Sequence, residues 1–409
     1  MDDGIIGQLS SQGVWEEFLS WRLVKGRFNW TEFDEADLYV ERKEFLPLAE
    51  HLSGGGRLGL PHRTTINKMG SSKKRVVYSF DPQEMTVLKL IAHLLYRYDG
   101  VFCPNCYAFR RGLRATDALL RLNRLTRDKQ LWAYKLDIHN YFNSIPIPKL
   151  LPMLQGVLAD DPLLYSFFET LLSDDRVLSG EEVICESHGI MAGTPTSPFL
   201  ANVYLSGVDR YFMEAGAIYA RYSDDIIIFA PDQKTLEGYK SKLLGFLKEL
   251  ELEVNHDKER TYSPAEAYEF LGFKCKGRSI DISDAALTKL KGKIRRKAKS
   301  LLRWKERKGM SSEQAMLSMI RHFNRKFFEG AEDGSLTWSR WFFPVITVTD
   351  GLREIDSYLQ ENIRFLSTGR HGKANYRIRY DTLKSLGYRS LVHEYYLFRE
   401  GRTEEGAFK

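Results

Sequence analysis

The stretch YARYSDDIIIFA, Tyr219 to Ala230, sets two adjacent carboxylates, Asp224 and Asp225, between two β-prone apolar runs. AIYARY and IIIFA flank Ser223-Asp224-Asp225 as the arms of a hairpin flank its turn, which puts both acids at a sheet end. Carboxylates this close raise each other's pKa and oppose folding unless a cation sits between them. Hard oxygen ligands on a tight turn suit Mg²⁺. An Asp-Asp pair alone is weak evidence, since Asp is a common turn residue. A third acid strengthens it. Residues 131–138, LWAYKLDI, alternate strictly. That predicts a strand with Trp132, Tyr134 and Leu136 on one face and Ala133, Lys135 and Asp137 on a more polar one. Neighbouring strands could bring Asp137 beside Asp224. Together they could hold two Mg²⁺ about 3.5–4 Å apart, the clamp for in-line phosphoryl transfer.

Helices and strands alternate outward from this centre. The first 60 residues look helical and end in the flexible SGGGRLGLP. A basic, β-prone stretch follows, NKMGSSKKRVVYSFDP, then helical periodicity over 84–98. CYAFRRGLRATDALLRLNRL turns from loop into helix. Thr196 and Ser197 before Pro198 are a start signal for a helix over 196–213. Phe199, Leu200, Val203, Tyr204, Val208, Tyr211 and Phe212 recur along it at helical spacing. LEGYKSKLLGFLKELEL reads as an amphipathic helix and YEFLGFKCKGRSIDI as a further hairpin. The last 125 residues are mostly helical, with Met316, Met319, Ile320, Phe323 and Phe327 on one core stripe. The order predicts an α+β fold, an antiparallel sheet backed by helices on one face.

At 409 residues the chain has room for two or three subdomains. With 43% hydrophobic and 28% charged residues it is not a disordered chain. It has no run of about 18 uncharged apolar residues, and its acidic start lacks the basic, apolar pattern of a signal peptide. The expectation is a cytoplasmic protein with no membrane partner. Cys103 and Cys106 have CxxC spacing, but no second ligand pair lies at a suitable distance. All four cysteines, with Cys185 and Cys275, therefore read as small semi-buried thiols. The net charge of +6 is concentrated: Lys289 to Lys308 holds eleven Lys and Arg against one Glu. Such a helix is either a solvated face or a surface for an anionic polymer.

KKRVVYSFDP, YAFRRGLRATDAL, KLDIHNYF, GTPTSPFLANVYL, YSDD, EVNHDK and FLGF occur in that order. They resemble the successive motifs of reverse transcriptases over roughly residues 60–280. The resemblance implies a right-hand polymerase fold. It would have helical and β fingers with the N-terminal helices (1–130), an antiparallel-sheet palm (131–280), and a helical thumb with a basic extension (281–409). It implies two Mg²⁺, for which Mn²⁺ can substitute, held by Asp137, Asp224, Asp225 and the Ile138 carbonyl. Phe142 matches the aromatic gate that rejects a ribose 2′-hydroxyl, and Tyr141 packs beneath the nucleotide. Arg75, with Lys73 or Lys68, matches the cations that grip the triphosphate, and Lys258 the lysine near the leaving pyrophosphate. Phe270, Leu271, Gly272 and Phe273 resemble a primer grip. The family usually carries Pro-Gln-Gly where this chain has Met191-Ala192-Gly193. Gly193 keeps close backbone approach to the nucleotide possible, while Ala192 puts ordinary templated copying in question.

The C-terminal stretch RFLSTGRHGKANYRIRYDTLKSLGYRSLVHEYY resembles extensions of bacterial defence-associated reverse transcriptases. That implies antiphage defence with a dedicated noncoding RNA as template or scaffold, dNTPs as substrate and DNA as product. Lys289, Lys293, Arg295, Arg296, Lys299, Arg370, Lys373 and Arg377 would then bind RNA. A retron-like or group II intron-derived enzyme, and an untemplated or protein-primed polymerase, are the other readings. The primer, the template sequence and the oligomeric state are not written in the chain.

Overall fold

The computed structural model describes residues 4–25, 30–67, 74–329 and 337–402, and the chain divides into two units, Met1–Glu266 and Ala267–Lys409. The first unit opens on helices Ile5–Gln8, Gln12–Lys25, Trp30–Glu41 and Leu46–Ser53. Its strands are β1 (His62–Asn67), β2 (Lys74–Ser79), β3 (Trp132–Asp137), β4 (Arg176–Ser179), β5 (Glu182–Cys185), β6 (Ile218–Tyr222), β7 (Asp225–Ala230) and β8 (Arg260–Tyr262). They form two sheets, ordered β2-β1-β4-β5 and β6-β7-β3-β8. The second sheet is antiparallel throughout, and helices Ser197–Glu214 and Gln233–Glu249 pack on it.

Period-2 patterning sets this sheet's faces. Tyr134 and Leu136 of β3 lie opposite Ile228 and Ile226 of β7, and all four are in the main core. Ala133 and Asp137 on the other face are also buried, at 2% and 4% exposure. The more polar face expected there is therefore not a solvated one at these two positions, while Lys135 between them is half-buried.

The helix expected over 196–213 runs Ser197–Glu214 and buries its apolar stripe, Tyr211 only in part. Thr196 makes no capping bond; the Ser197 hydroxyl donates back to the Met191 carbonyl at 2.7 Å. The 84–98 helix runs Pro82–Leu94 and tightens into a 3₁₀ segment to Val101. Cys103, Cys106 and Cys275 are buried free thiols, but Cys185 is exposed on the short strand β5, against the semi-buried expectation. Among the described residues no helix is long and apolar enough to cross a membrane.

The second unit begins with β9 (Tyr268–Phe270), β10 (Phe273–Lys276) and β11 (Ser279–Ile282). The expected hairpin is thus a three-stranded meander. Its first turn, Leu271-Gly272, has φ of 52° and 86°, the left-handed pair that a two-residue hairpin needs. Helix Asp284–Lys308 buries Leu287, Leu290, Ile294, Ala298 and Leu301. Helix Ser312–Asn324 buries Met316, Met319, Ile320 and Phe323 and runs into a π-helical turn, Arg325–Glu329, which buries Phe327.

Candidate active site

The β6–β7 hairpin closes through Ser223-Asp224: Tyr222 pairs with Asp225, and Ser223 takes a left-handed φ of 61°. The register from Trp132↔Ala230 ends at Asp137↔Asp225. Residues directly opposed in an antiparallel pair share a face, so these two carboxylates are neighbours. The Ile138 amide donates to the Asp224 carbonyl at 3.1 Å and ties the turn to the end of β3.

Around them, Lys258 Nζ donates to Asp137 Oδ2 at 2.5 Å and Asn255 Nδ2 to Asp137 Oδ1 at 3.0 Å. The Asn255 amide also donates to the Asp137 carbonyl at 2.8 Å. Lys135 Nζ stands 3.6 Å from Asp225 Oδ1, yet that buried oxygen accepts no hydrogen bond. Burial, then the charges of Asp137 and Asp225, push the Asp224 carboxyl up to about 6. Burial also raises Asp225 in spite of Lys135. Burial pulls the Lys258 ammonium down, but its bond to Asp137 and the three carboxylate charges outweigh that, so its pKa is raised.

These residues fit a divalent cation. Three carboxylates at adjoining strand ends stand beside two ammonium groups, and one buried carboxylate oxygen accepts no hydrogen bond. Among the described residues no group of three or more His, Cys, Asp or Glu side chains forms a ready metal cage. Mg²⁺ rarely needs one, being held by one or two carboxylates plus substrate phosphates.

The expected nucleotide pocket is knitted by backbone. Asn140, at φ 46°, starts the helical turn Tyr141–Ser144. Tyr141 is buried and donates its hydroxyl to the Ala201 carbonyl at 2.6 Å; Phe142 is half-buried. Asn143 Nδ2 donates to the Val76 carbonyl at 3.1 Å, and its Oδ1 accepts from the Ala192 amide at 2.9 Å. The Ala192 carbonyl accepts from the Tyr78 amide at 2.8 Å. Gly193 sits at φ 111°, and a Cβ there would lie 2.8 Å from the Tyr78 carbonyl oxygen. The close approach it allows is therefore to strand β2. Arg75 is exposed on β2, while Lys68 and Lys73 lie outside the described residues.

In the second unit, Phe270 and Phe273 are fully buried, with Phe273 5.0 Å from the Phe342 ring. Of the expected primer grip, only the half-buried Leu271-Gly272 turn reaches the surface. Lys289, Arg295, Arg296 and Lys299 are exposed on helix Asp284–Lys308, and Lys293 is half-buried. Arg370, Lys373 and Arg377 are exposed.

Two features escaped the sequence reading. Asn255 lies inside the EVNHDK motif, so its position was the signal. The other is a buried ion pair under the hairpin. Arg221 and Asp209 are both 0% exposed, joined at 2.8 Å through Nε and 2.5 Å through Nη2. An acid within the buried stripe of helix Ser197–Glu214 was the available clue.

A family profile described as reverse transcriptase (RNA-dependent DNA polymerase) matches residues 66–275, just over half of the sequence. The chain belongs to that family. The matched span takes in Asp137, Phe142, Asp224, Asp225 and Lys258 and ends before helix Asp284–Lys308. No curated protein matches the sequence. Among solved structures, apo telomerase from Candida tropicalis aligns with a TM-score of 0.47 and 13% identity over 81% of this chain and 60% of that one. The same telomerase with a TWJ fragment of telomeric RNA aligns at 0.45 and 13%, over 86% and 59%. A form truncated of its C-terminal domain aligns at 0.44 and 14%, over 55% of each chain. This chain therefore spans less than two thirds of the length of those telomerase chains.

Proposed function

We propose that this chain is an RNA-directed DNA polymerase that makes cDNA from dNTPs on a dedicated noncoding RNA, in antiphage defence. The observation that carries the polymerase reading is the cross-strand register that sets Asp137 against Asp225 with Asp224 in the adjoining turn. The reading assigns fingers to residues 1–130, palm to 131–280 and thumb with its extension to 281–409. Two Mg²⁺, held by Asp137, Asp224, Asp225 and the Ile138 carbonyl together with substrate phosphates, would lower the pKa of a primer 3′-hydroxyl and neutralise charge on the triphosphate.

The chain's own residues do the rest. Lys258 neutralises and orients Asp137 before substrate arrives, and its Nζ protons are then near a departing pyrophosphate. Asn255 fixes the second oxygen of the same carboxylate. Arg75, with Lys73 or Lys68, takes the triphosphate, for which a guanidinium's paired donors are suited. Phe142, held half-buried on its strapped turn, blocks the space a 2′-hydroxyl would need. The exposed cations of helix Asp284–Lys308 and of Arg370 to Arg377 meet RNA phosphates. The defence role rests on the likeness of the C-terminal stretch to defence-associated enzymes.

The test is to purify the protein from cells carrying its own locus and sequence the nucleic acid that comes with it, beside Asp224→Ala with Asp225→Ala. A discrete small RNA with complementary DNA, the DNA missing from the variant, is the expected result. DNA with no matching RNA would instead favour untemplated synthesis, which the short Ala192 side chain makes worth separating. DNA that persists in the variant overturns the site.

A further inference from the structure

Phe109 stands out from the loop that follows Cys106. Among the described residues it alone combines a left-handed backbone, φ 60°, with an exposed large apolar side chain, 41% exposed. Both features work against folding. A bulky residue is strained at positive φ, and a phenyl ring left two-fifths exposed forgoes part of the gain from burial. Asn or Gly would suit the position better. Strain that the fold itself does not use is a pointer to function.

The loop holds Phe109 firmly. Asn105 to Ala108 are buried in sequence immediately before it. The Asn105 carbonyl accepts from the Arg221 amide at 2.9 Å, and the Tyr107 amide donates to the Arg221 carbonyl at 3.0 Å. Asn202 Nδ2 donates to the Ala108 carbonyl at 2.8 Å. On the other side, the Arg110 guanidinium donates to the carbonyls of Cys103 at 2.8 Å, Cys106 at 3.2 Å and Asp99 at 2.9 Å. The ring therefore projects from a pinned backbone, and it stands 6.0 Å from the Phe142 ring at an interplanar angle of 87°. An edge-to-face pair leaves a ring face open to a further aromatic partner.

We propose that Phe109 is a stacking platform for a nucleobase, set beside the Phe142 pocket. This rests on the polymerase reading for the pocket's identity. A flat, apolar, rigidly held ring accepts any of the four bases, as sequence-independent copying requires. The base has two sources with the same chemistry, an incoming dNTP and the template strand.

The experiment uses 2-aminopurine, whose fluorescence falls on stacking, with the full chain and a primer blocked at its 3′ end so that no turnover is needed. One arm titrates 2-aminopurine deoxynucleoside triphosphate with the blocked template–primer; the other places 2-aminopurine at the templating position. Wild type is compared with Phe109→Gly, which fits φ 60°, and with Phe109→Trp. Phe109→Gly should keep or raise thermal stability and weaken binding in one arm by roughly five- to a hundredfold, while Phe109→Trp retains it. The affected arm identifies the source. Unchanged binding in both arms, a loss that only follows a fall in stability, or a wild type that binds neither probe overturns the platform. Absence of DNA synthesis by wild type would sink the polymerase reading alone, because the probes report without catalysis.

Discussion

Two groups of charge share the β6–β7 hairpin, one fully buried and one with Asp224 and Asp225 half-buried, and they differ in how fully their demands are met. Beneath it, Arg221 has an acceptor for each of its five N–H donors: Asp209 through Nε and Nη2, Asn202 Oδ1 at 3.1 Å, the Ser223 carbonyl at 3.2 Å and Cys106 Sγ at 3.1 Å. Asp209 also accepts from the Tyr219 hydroxyl at 2.8 Å. That cluster is neutral and closed. Three and four residues on, Asp224 and Asp225 join Asp137, with a buried Asp225 oxygen that accepts no hydrogen bond and an Asp224 carboxyl pushed up to about 6 by burial and like charge. A buried charge with every partner present is architecture; a charge whose demand is unmet is where the proposed metal would sit. The closed cluster also grips the Ser223 carbonyl, so the first group sets the turn on which the second depends.

The largest expected effect comes from opening the closed cluster. Arg221→Leu leaves Asp209 buried without its cation and should cost about 3–5 kcal/mol in denaturant unfolding. Replacing both partners, Arg221→Leu with Asp209→Leu, should recover much of that loss. A single variant as stable as wild type would show that the pair is not the anchor. The open cluster should respond in the opposite sense. Asp224→Asn removes like-charge repulsion and should stabilise the metal-free protein by about 1 kcal/mol. Wild type should gain thermal stability as Mg²⁺ is added, and the variant should gain much less. A destabilised Asp224→Asn protein would mean that the carboxylate has a structural partner after all.

The open cluster was legible in the sequence and the closed one was not, for a physical reason. Asp224 and Asp225 announce themselves because they interrupt a period-2 apolar pattern at a turn, a local signal. Asp137 does so at the end of its own alternating strand. Their meeting depends only on β3 pairing with β7, as strands of one sheet tend to do. Arg221 lies in the short strand β6, where a charge is unremarkable, and although Asp209 interrupts the apolar stripe of its helix, their pairing depends on how helix Ser197–Glu214 lies against β6. Phe109 was hidden for a similar reason. YAFRRG reads as a loop, and no rule marks a phenylalanine for left-handed backbone. FLGF was recognised as a motif, but only the meander shows that both phenylalanines face the core.

The second unit holds a cationic counterpart to the open cluster, and it gives the smallest prediction. His322, on helix Ser312–Asn324, is half-buried beside the Phe323 ring, 5.0 Å away, with Lys297 from helix Asp284–Lys308 and Arg325 and Lys326 from the π-helical turn near it. Burial, then those three cations, push the imidazolium down to about 4. The folded pKa lies below the unfolded value of 6.5. As pH falls from 6.5 towards 4, the unfolded chain therefore takes up a proton that the folded chain does not, and stability is lost over that window. The effect is small because solvent screens a half-exposed group. His322→Gln should flatten the fall in melting temperature between pH 6.5 and pH 4 and leave the value at pH 8 unchanged. Adding a short RNA oligonucleotide should shrink the wild-type fall as well, since phosphates near Lys297 and Lys326 would offset the repulsion that opposes the proton. An identical pH profile in the variant would place the acid sensitivity elsewhere in the chain.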